Sequence, residues 1–471
     1  MKSRPNDPKP LRERLGDASN CLGRFLWGAK ASVSLSNLLA GTSLGGRLTE
    51  LAGRSVLLAF RDQLPAALAM IELDGVARRM VICPPDLASE HILRVIDRAD
   101  VDAILSDDDP LFMGHTAVTV HGLVTPVIAP WQDVKRYGYS TEWVLLTSGT
   151  TGFPKLLIHS LASLSAPIKS GQHPGADVVW GTFYDIRRYG GMSIFLRALL
   201  GHGSLVLSSP GESLGDHLVR LGAHGVTHLT GTPSHWRRVL MSPLARAIRP
   251  RCVRLSGEIV DQAILNALRS FYPQAAITHA FASTEAGVGF EVNDGLEGFP
   301  ASLVGQPGEV DIGVKDGSLR LRSGRTAACY LNEESSVLMD PEGFVDTGDM
   351  VELRSGRYYF LGRRSGVINV GGLKVYPGEV ETVINRHPAV RMSCVRGRKN
   401  PITGSLVVAD VVLQGDPHPA VGPEVGRIAE LKEEILNLCR ETLAQHKVPT
   451  AIRFVAGLAI AESGKIERHE A

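Results

Sequence analysis

Neither sign of charge dominates this chain. Its 50 lysines and arginines face 49 aspartates and glutamates, a formal net charge of +1. No broad basic field therefore argues for nucleic acid or an anionic membrane surface as a partner. Long apolar runs are missing as well, so nothing reads as a membrane span. Cysteine is sparse: Cys21, Cys83, Cys252, Cys329, Cys394 and Cys439 are scattered with no CxxC spacing. That argues against a disulfide framework or a zinc site and for small neutral thiols in a reducing, cytoplasmic setting. The polar, proline-rich start at residues 1–10 lacks the apolar core of a signal peptide and reads as a loose tail. No internal repeat stands out. No Walker lysine followed by Ser or Thr is present, which weakens a conventional kinase or P-loop ATPase.

What the chain does have is a globular composition, 44% hydrophobic and 21% charged over 471 residues, a length of about three domain-sized units. Strand-like runs at 55–60, 80–83, 103–105, 204–207, 225–229 and 276–278 alternate with helical stretches at 64–73, 87–99, 214–221 and 261–271. Such alternation predicts an α/β protein with parallel-rich sheets covered by helices. From about Val310 the texture changes. Segments 318–322 and 350–354 alternate with period two, as half-buried antiparallel strands do, and 357–361 is more continuously apolar. The pattern breaks at 362–366. Beyond it lie a strand at 367–370, a helix at 379–386, a strand at 406–413, a Pro/Gly-rich loop at 415–423 and a long helix at 425–445. The break predicts a boundary between a large domain, 1–364, and a small C-terminal α/β domain, 365–471.

The most telling stretch is Leu-Leu-Thr-Ser-Gly-Thr-Thr-Gly-Phe-Pro-Lys over 145–155. A short buried strand, 143–146, delivers it. Gly149 and Gly152 permit close backbone approach. Thr147, Ser148, Thr150 and Thr151 offer hydroxyls, and consecutive N–H groups can form an anion nest. Pro154 fixes the exit and Lys155 supplies a cation. These are the parts of a phosphate-holding loop; an ordinary Ser/Thr/Gly surface loop is the plain alternative.

This run resembles the signature of the adenylate-forming superfamily: acyl-CoA synthetases, adenylation domains of nonribosomal peptide synthetases and firefly luciferase. The resemblance continues in order along the chain from Ser55 onward. Arg-Leu-Ser-Gly-Glu, 254–258, is similar to the segment that lies against adenine, with Gly257 allowing close approach; a turn before the next helix explains it almost as well. In His-Ala-Phe-Ala-Ser-Thr-Glu, 279–285, the resemblance implies that Phe281 stacks on adenine beside Ala282, Thr284 bonds the α-phosphate and Glu285 holds Mg²⁺. Here Phe281 stands for the usual Tyr and Ala282 for the usual Gly. A helix-capping Ser/Thr-x-Glu is the alternative there. In Asp-Thr-Gly-Asp, 346–349, Asp349 matches the carboxylate that accepts from both ribose hydroxyls, a role that suits an acceptor-only group; an isolated Thr-Gly-Asp is otherwise a turn. Arg363 is expected to reach the ribose. Ser365 takes the place of the usual charged hinge residue. Lys374 stands where many members place a cation near the phosphates. In Glu-Ser-Gly-Lys-Ile, 462–466, Lys465 matches the catalytic lysine that contacts the attacking carboxylate. A solvated surface lysine is the alternative reading for Ser-Gly-Lys in isolation.

The resemblance implies a mechanism: ATP and Mg²⁺ convert a carboxylic acid into acyl-AMP, and a thiol then takes the acyl group while the small, mobile C-terminal domain rotates. It also implies a large domain that ends in a small barrel-like β portion. Coenzyme A is the expected thiol. The phosphopantetheine of an acyl carrier protein is the alternative, and a degenerate nucleotide-binding module without turnover is the reading from another class. The acid is expected to sit on Tyr184, Tyr189, Gly190, Gly231 and Trp236. Asp185, Arg187 and Arg188 read equally as part of that pocket or as a surface ion cluster.

Overall fold

Two large sheets enclose a shared apolar core, and two smaller sheets follow them in the chain. The structure, a computed structural model, describes residues 9–17, 21–45, 47–107, 119–121, 124–130, 138–147, 153–168, 177–331, 337–401, 403–414, 424–461 and 464–467. Ser148, Gly149, Thr150, Thr151, Gly152, the first eight residues, the 415–423 loop, Glu462 and Ser463 lie outside the described residues.

Among the described residues, an eight-stranded sheet runs in the order Gly287–Val292, Ala276–Ser283, Cys252–Ser256, His228–Gly231, Val179–Thr182, Ser204–Val206, Phe25–Trp27 and Ser32–Ser34. Only its two edge strands pair antiparallel. A seven-stranded sheet carries Ser55–Ala59 at its parallel centre, with Glu142–Leu146 and Leu156–His159 toward one edge. The helices Gln63–Leu73 and Tyr189–Leu200 contribute to the core that links the two sheets. All but one residue of Gln63–Leu73 are buried. A helix apolar on every side is stable only in such a sandwiched position.

The third sheet is antiparallel: Phe299–Pro300, Arg357–Arg363, Val345–Arg354, Ser318–Ser323 and Val310–Lys315. It forms the expected curled β portion. The C-terminal sheet joins Leu373–Val375, Ile368–Val370, Gly404–Leu413, Val390–Asn400 and Ala451–Phe454, covered by Pro377–Ile384 and Glu424–Thr442. A 3₁₀ turn, Arg364–Gly366, precedes it. No helix among the described residues is long and apolar enough to cross a membrane.

Several local expectations are corrected. The strand expected at 225–229 starts later, at His228, because Gly225 takes φ +62. The strand expected at 276–278 runs on to Ser283 and turns back as a hairpin, so Thr284 and Glu285 sit in a β-turn and cap no helix. Gly287 closes that turn at φ +80, where an added Cβ would lie 2.6 Å from the Arg325 carbonyl oxygen. Asp346 to Asp349 lie inside the long strand Val345–Arg354. The strand Val390–Asn400 has no counterpart in the sequence reading, because Arg396, Arg398 and Lys399 mask its alternation.

Candidate active site

The Thr284–Glu285 turn is pinned from both sides. His159, at the end of its strand, places Nε2 2.8 Å from the Thr284 carbonyl oxygen. The Ala327 N–H donates to the Glu285 carbonyl at 2.9 Å. Burial holds the His159 imidazole neutral and pushes its pKa down to about 4, so its ring N–H is the donor to that carbonyl. A bulge between Phe281 and Ala282 shifts the hairpin register just before the turn, a device that re-aims side chains.

Glu285 faces a cavity of about 300 Å³ lined also by Tyr330, Asp346, Thr347 and Arg363. The Lys155 ammonium stands over the Tyr330 ring, 4.5 Å from its centroid. The Thr147 N–H donates to the Lys155 carbonyl at 2.9 Å. The 147–155 loop thus leaves and returns beside the cavity wall that Glu285 shares. Asp349 and Arg363, on neighbouring antiparallel strands, form an ion pair at 3.2 Å. Asp349 and then Glu285 help to raise the Arg363 pKa against the opposing effect of desolvation.

Lys465 comes to the same place through a latch. The Thr232 hydroxyl donates to the Gly464 carbonyl at 2.7 Å. The Ile466 N–H donates to Glu258 Oε1 at 3.1 Å, and the Ser234 N–H donates to Glu258 Oε2 at 2.9 Å. Gly464, at φ +79, presses on His235; a Cβ there would lie 1.9 Å from the ring. Gly257, at φ +88, leaves room for the lysine, whose Cε would be 3.9 Å from an added Cβ. The lysine keeps contact with solvent, yet surrounding protein first, and then Arg363, lower its pKa, against Glu258 and Asp349. A lowered pKa means that the ammonium is lost at lower pH than in an ordinary lysine. We therefore expect kcat/KM for acid activation to fall on an alkaline limb below the usual lysine range. In Lys465→Arg that limb moves beyond the measurable range; an unmoved limb in the pH profile rules out Lys465 as its source.

A second, narrower cleft is lined by Tyr184, Tyr189, Gly190, Ser193, Arg254 and Ala282. Tyr184 Oη donates to the Ser256 carbonyl at 2.7 Å. Burial pushes the Tyr189 phenol up to about 12. Trp236 and Gly231, expected in the acid pocket, do not line it. Trp236 is fully buried in the core on the opposite face of the sheet, edge-on to Phe183 and Tyr272, and Gly231 makes room for Phe183 and His235. Of the two readings left open for Asp185, Arg187 and Arg188, a shared surface cluster does not form: Arg187 is 0% exposed and pairs with Asp185 at 2.5 Å, while Arg188 pairs with Asp86 nearer the surface. Phe281 stacks on Phe290 and Phe360 at 5.7 and 5.4 Å. Ala282, expected at the nucleotide, forms part of the narrow cleft. Lys374 is exposed on the edge strand Leu373–Val375, and no described contact joins it to the cavity.

Residues 66–323 match the family described as AMP-binding enzyme, and 379–465 match the AMP-binding enzyme C-terminal domain. The chain belongs to the AMP-binding enzymes. The 2-succinylbenzoate–CoA ligase of Bacillus cereus is 25% identical over 442 residues, 89% of this chain and 88% of its own length. The 4-hydroxybutyrate–CoA ligase 1 of Metallosphaera sedula is 29% identical over 358 residues, 69% of this chain but 60% of its own length. Among solved structures, the amide bond synthetase McbA from Marinactinospora thermotolerans superposes with a TM-score of 0.79 at 21% identity, covering 97% of each chain. The o-succinylbenzoate CoA synthetase from Bacillus subtilis, in complex with its acyl-adenylate intermediate, gives 0.72 at 19%, also with 97% of each chain covered. Both are similar to this AMP-binding enzyme in fold.

Sequence reasoning gave no role to four residues that the structure places at the candidate site: His159, Thr232, Glu258 and Arg254. Arg254 and Glu258 are the two ends of the quoted 254–258 run, where only Gly257 is singled out, and Thr232 follows Gly231. Their contacts span 208 residues for Glu258 and 232 for Thr232, which no local pattern reveals.

Proposed function

We propose that this AMP-binding enzyme activates a carboxylic acid with ATP, forming acyl-AMP and pyrophosphate, and then passes the acyl group to a thiol, coenzyme A first. Glu285 and Arg363 line one cavity beside the neck of the 147–155 loop, and Asp349 and Lys465 stand next to Arg363; that grouping supports this reading. Relatives named as CoA ligases support the thiol.

In this reading the 147–155 loop and Lys155 hold the outer phosphates, and Asp349 with Arg363 holds the ribose. Phe281, expected to stack on the base, is itself stacked on Phe290 and Phe360 and is given no more than a place beside it, and Thr284 bonds the α-phosphate. Lys465 steers the acid's carboxylate to the α-phosphorus and stabilises charge on the bridging oxygen as pyrophosphate leaves. A carboxylate is a poor acyl donor; the mixed anhydride is a good one, so the thiol step needs mainly positioning. Tyr184, Tyr189 and Gly190 flank the acid.

The Glu285 carboxylate has no hydrogen-bond or ion-pair partner among the described residues, and no cluster of three or more metal-ligating side chains is found among them. A lone carboxylate fits Mg²⁺, which takes most of its ligands from water and phosphates; bound there, the ion would neutralise phosphate charge. We assign 1–364 and 365–471 as the two domains, with Arg364–Gly366 as the hinge, and leave no functional role for Trp236.

The test is acid-dependent exchange of labelled pyrophosphate into ATP over a panel of carboxylic acids, followed by transfer to free coenzyme A or to a phosphopantetheinylated carrier. Exchange with at least one acid is expected. No exchange with any acid, despite bound ATP, turns the reading toward a nucleotide-binding module.

A further inference from the structure

The wall of the acid cleft is unusually polar for a surface that should seat a hydrocarbon. On adjacent parallel strands, Thr182, Thr230, Arg254 and Thr278 are paired in register, so their side chains share one face. That face lies toward the Tyr189–Leu200 helix, which adds Ser193 to the cleft and Arg197 one turn further along. Arg254 and Thr278 are 8% and 9% exposed. The Arg254 Nε, the Arg197 Nε and the Thr278 hydroxyl are all buried without a hydrogen-bond partner. Native interiors rarely leave such groups unpaired, and three in one patch point to a missing acceptor.

The charges tell the same way. Arg254 pairs with Glu291 at 3.0 Å and Arg325 with Glu309 at 2.7 Å. In both pairs the carboxylate is on the wet side: Glu291 and Glu309 side chains are 45% and 68% exposed, against 10% and 12% for the arginines. Arg197 has no ion pair among the described residues. Burial first, and then Arg254, push its pKa down to about 10, so the cations are not compensated where they are driest. One more negative charge is accommodated there.

We propose that the acid this enzyme activates is a dicarboxylic acid, whose second carboxylate, remote from the reacting one, is bound by Arg254 and Arg197 with the Thr278 hydroxyl as a third donor. The proposal rests on the ligase reading. A planar guanidinium suits a carboxylate through two parallel N–H donors. Ala280, which pairs with Ser256 on one side and with Glu291 on the other, is a small residue between the strand of Arg254 and Glu291, and the guanidinium reaches across it to that carboxylate.

Pyrophosphate exchange with length-matched pairs tests it: a series of dicarboxylic acids, each against its monomethyl ester and the monocarboxylic acid of equal chain length. In the unaltered enzyme, kcat/KM favours the best diacid over its ester by about 10- to 100-fold, mostly through KM. The ratio falls toward one in Arg254→Met, and Arg197→Met moves it the same way, with Arg254→Lys restoring part of it. Equal or better use of the ester or monoacid by the unaltered enzyme overturns the proposal, and so does a ratio that survives both methionine variants. Exchange with monoacids alone overturns only this proposal, whereas no exchange with any acid removes the ligase reading beneath it.

Discussion

Replacing Lys465 with alanine slows acyl-AMP formation by about 100- to 1,000-fold, the cost of losing one charge-stabilising donor in a preorganised site, and spares thioester formation from supplied acyl-AMP. The split follows from what the side chain touches. Its ammonium stands beside Arg363, Glu258 and Asp349, which in the proposed reaction is where negative charge develops as pyrophosphate leaves. Attack by a thiol on the finished anhydride needs no such cation. The variant folds normally, because the latch uses backbone atoms of Gly464 and Ile466 and the lysine side chain is exposed. The two half-reactions are measured separately, by pyrophosphate exchange and by acyl-CoA appearance from synthetic acyl-AMP. Equal loss in both removes Lys465 from the adenylation step.

Asp185→Ala lowers stability by about 3–5 kcal/mol, the cost of stranding a buried charge. Arg187 has no exposed surface, and its guanidinium reaches Asp185 through Nε at 2.7 Å and Nη2 at 2.5 Å, with the Phe60 and Arg61 carbonyls as further acceptors. Those carbonyls cannot replace the lost negative charge. The control is Asp86→Ala, which breaks the more exposed pair with Arg188, 32% and 18% exposed, and costs about 0–1 kcal/mol. Urea unfolding followed by the fluorescence of buried Trp143, Trp180 and Trp236 reads both. Similar losses in the two variants mean that Arg187 finds water on its own. The 185–188 segment also begins the helix carrying Tyr189, and the Ile186 N–H donates to Gln63 Oε1 at 2.8 Å, so Asp185→Ala should raise KM for the acid as well.

Much of this protein is legible without coordinates. The 147–155 loop carries the family resemblance through glycines, hydroxyls and a lysine, properties of the residues themselves, and the family match over 66–323 includes it. The alternation of strands and helices, the antiparallel change after Val310 and the break at 362–366 all follow from local periodicity and turn chemistry. The places where the reading failed share one cause. Trp236 looked like a pocket residue because it follows a strand end, but the phase of its helix turns it into the core beneath Val253 and Leu255. Arg187 reads equally as a pocket residue or as part of a surface cluster, and only the Phe60–Arg61 backbone, more than a hundred residues earlier, makes the buried place it takes.

The residues alone determined which chemical groups the chain possesses and in what order they come: a loop for anions, a carboxylate for a cation, a carboxylate for hydroxyls and a lysine at the end. Only the tertiary structure decided that Glu285 and Arg363 share a cavity with Asp349 and Lys465 beside Arg363, that Glu258 and Thr232 hold the backbone on either side of Lys465, and that Arg254 lines the narrow cleft with Tyr184 and Tyr189. Side-chain chemistry is set by each residue singly, whereas burial and partnership depend on strand register and long-range packing, which no short window of sequence contains.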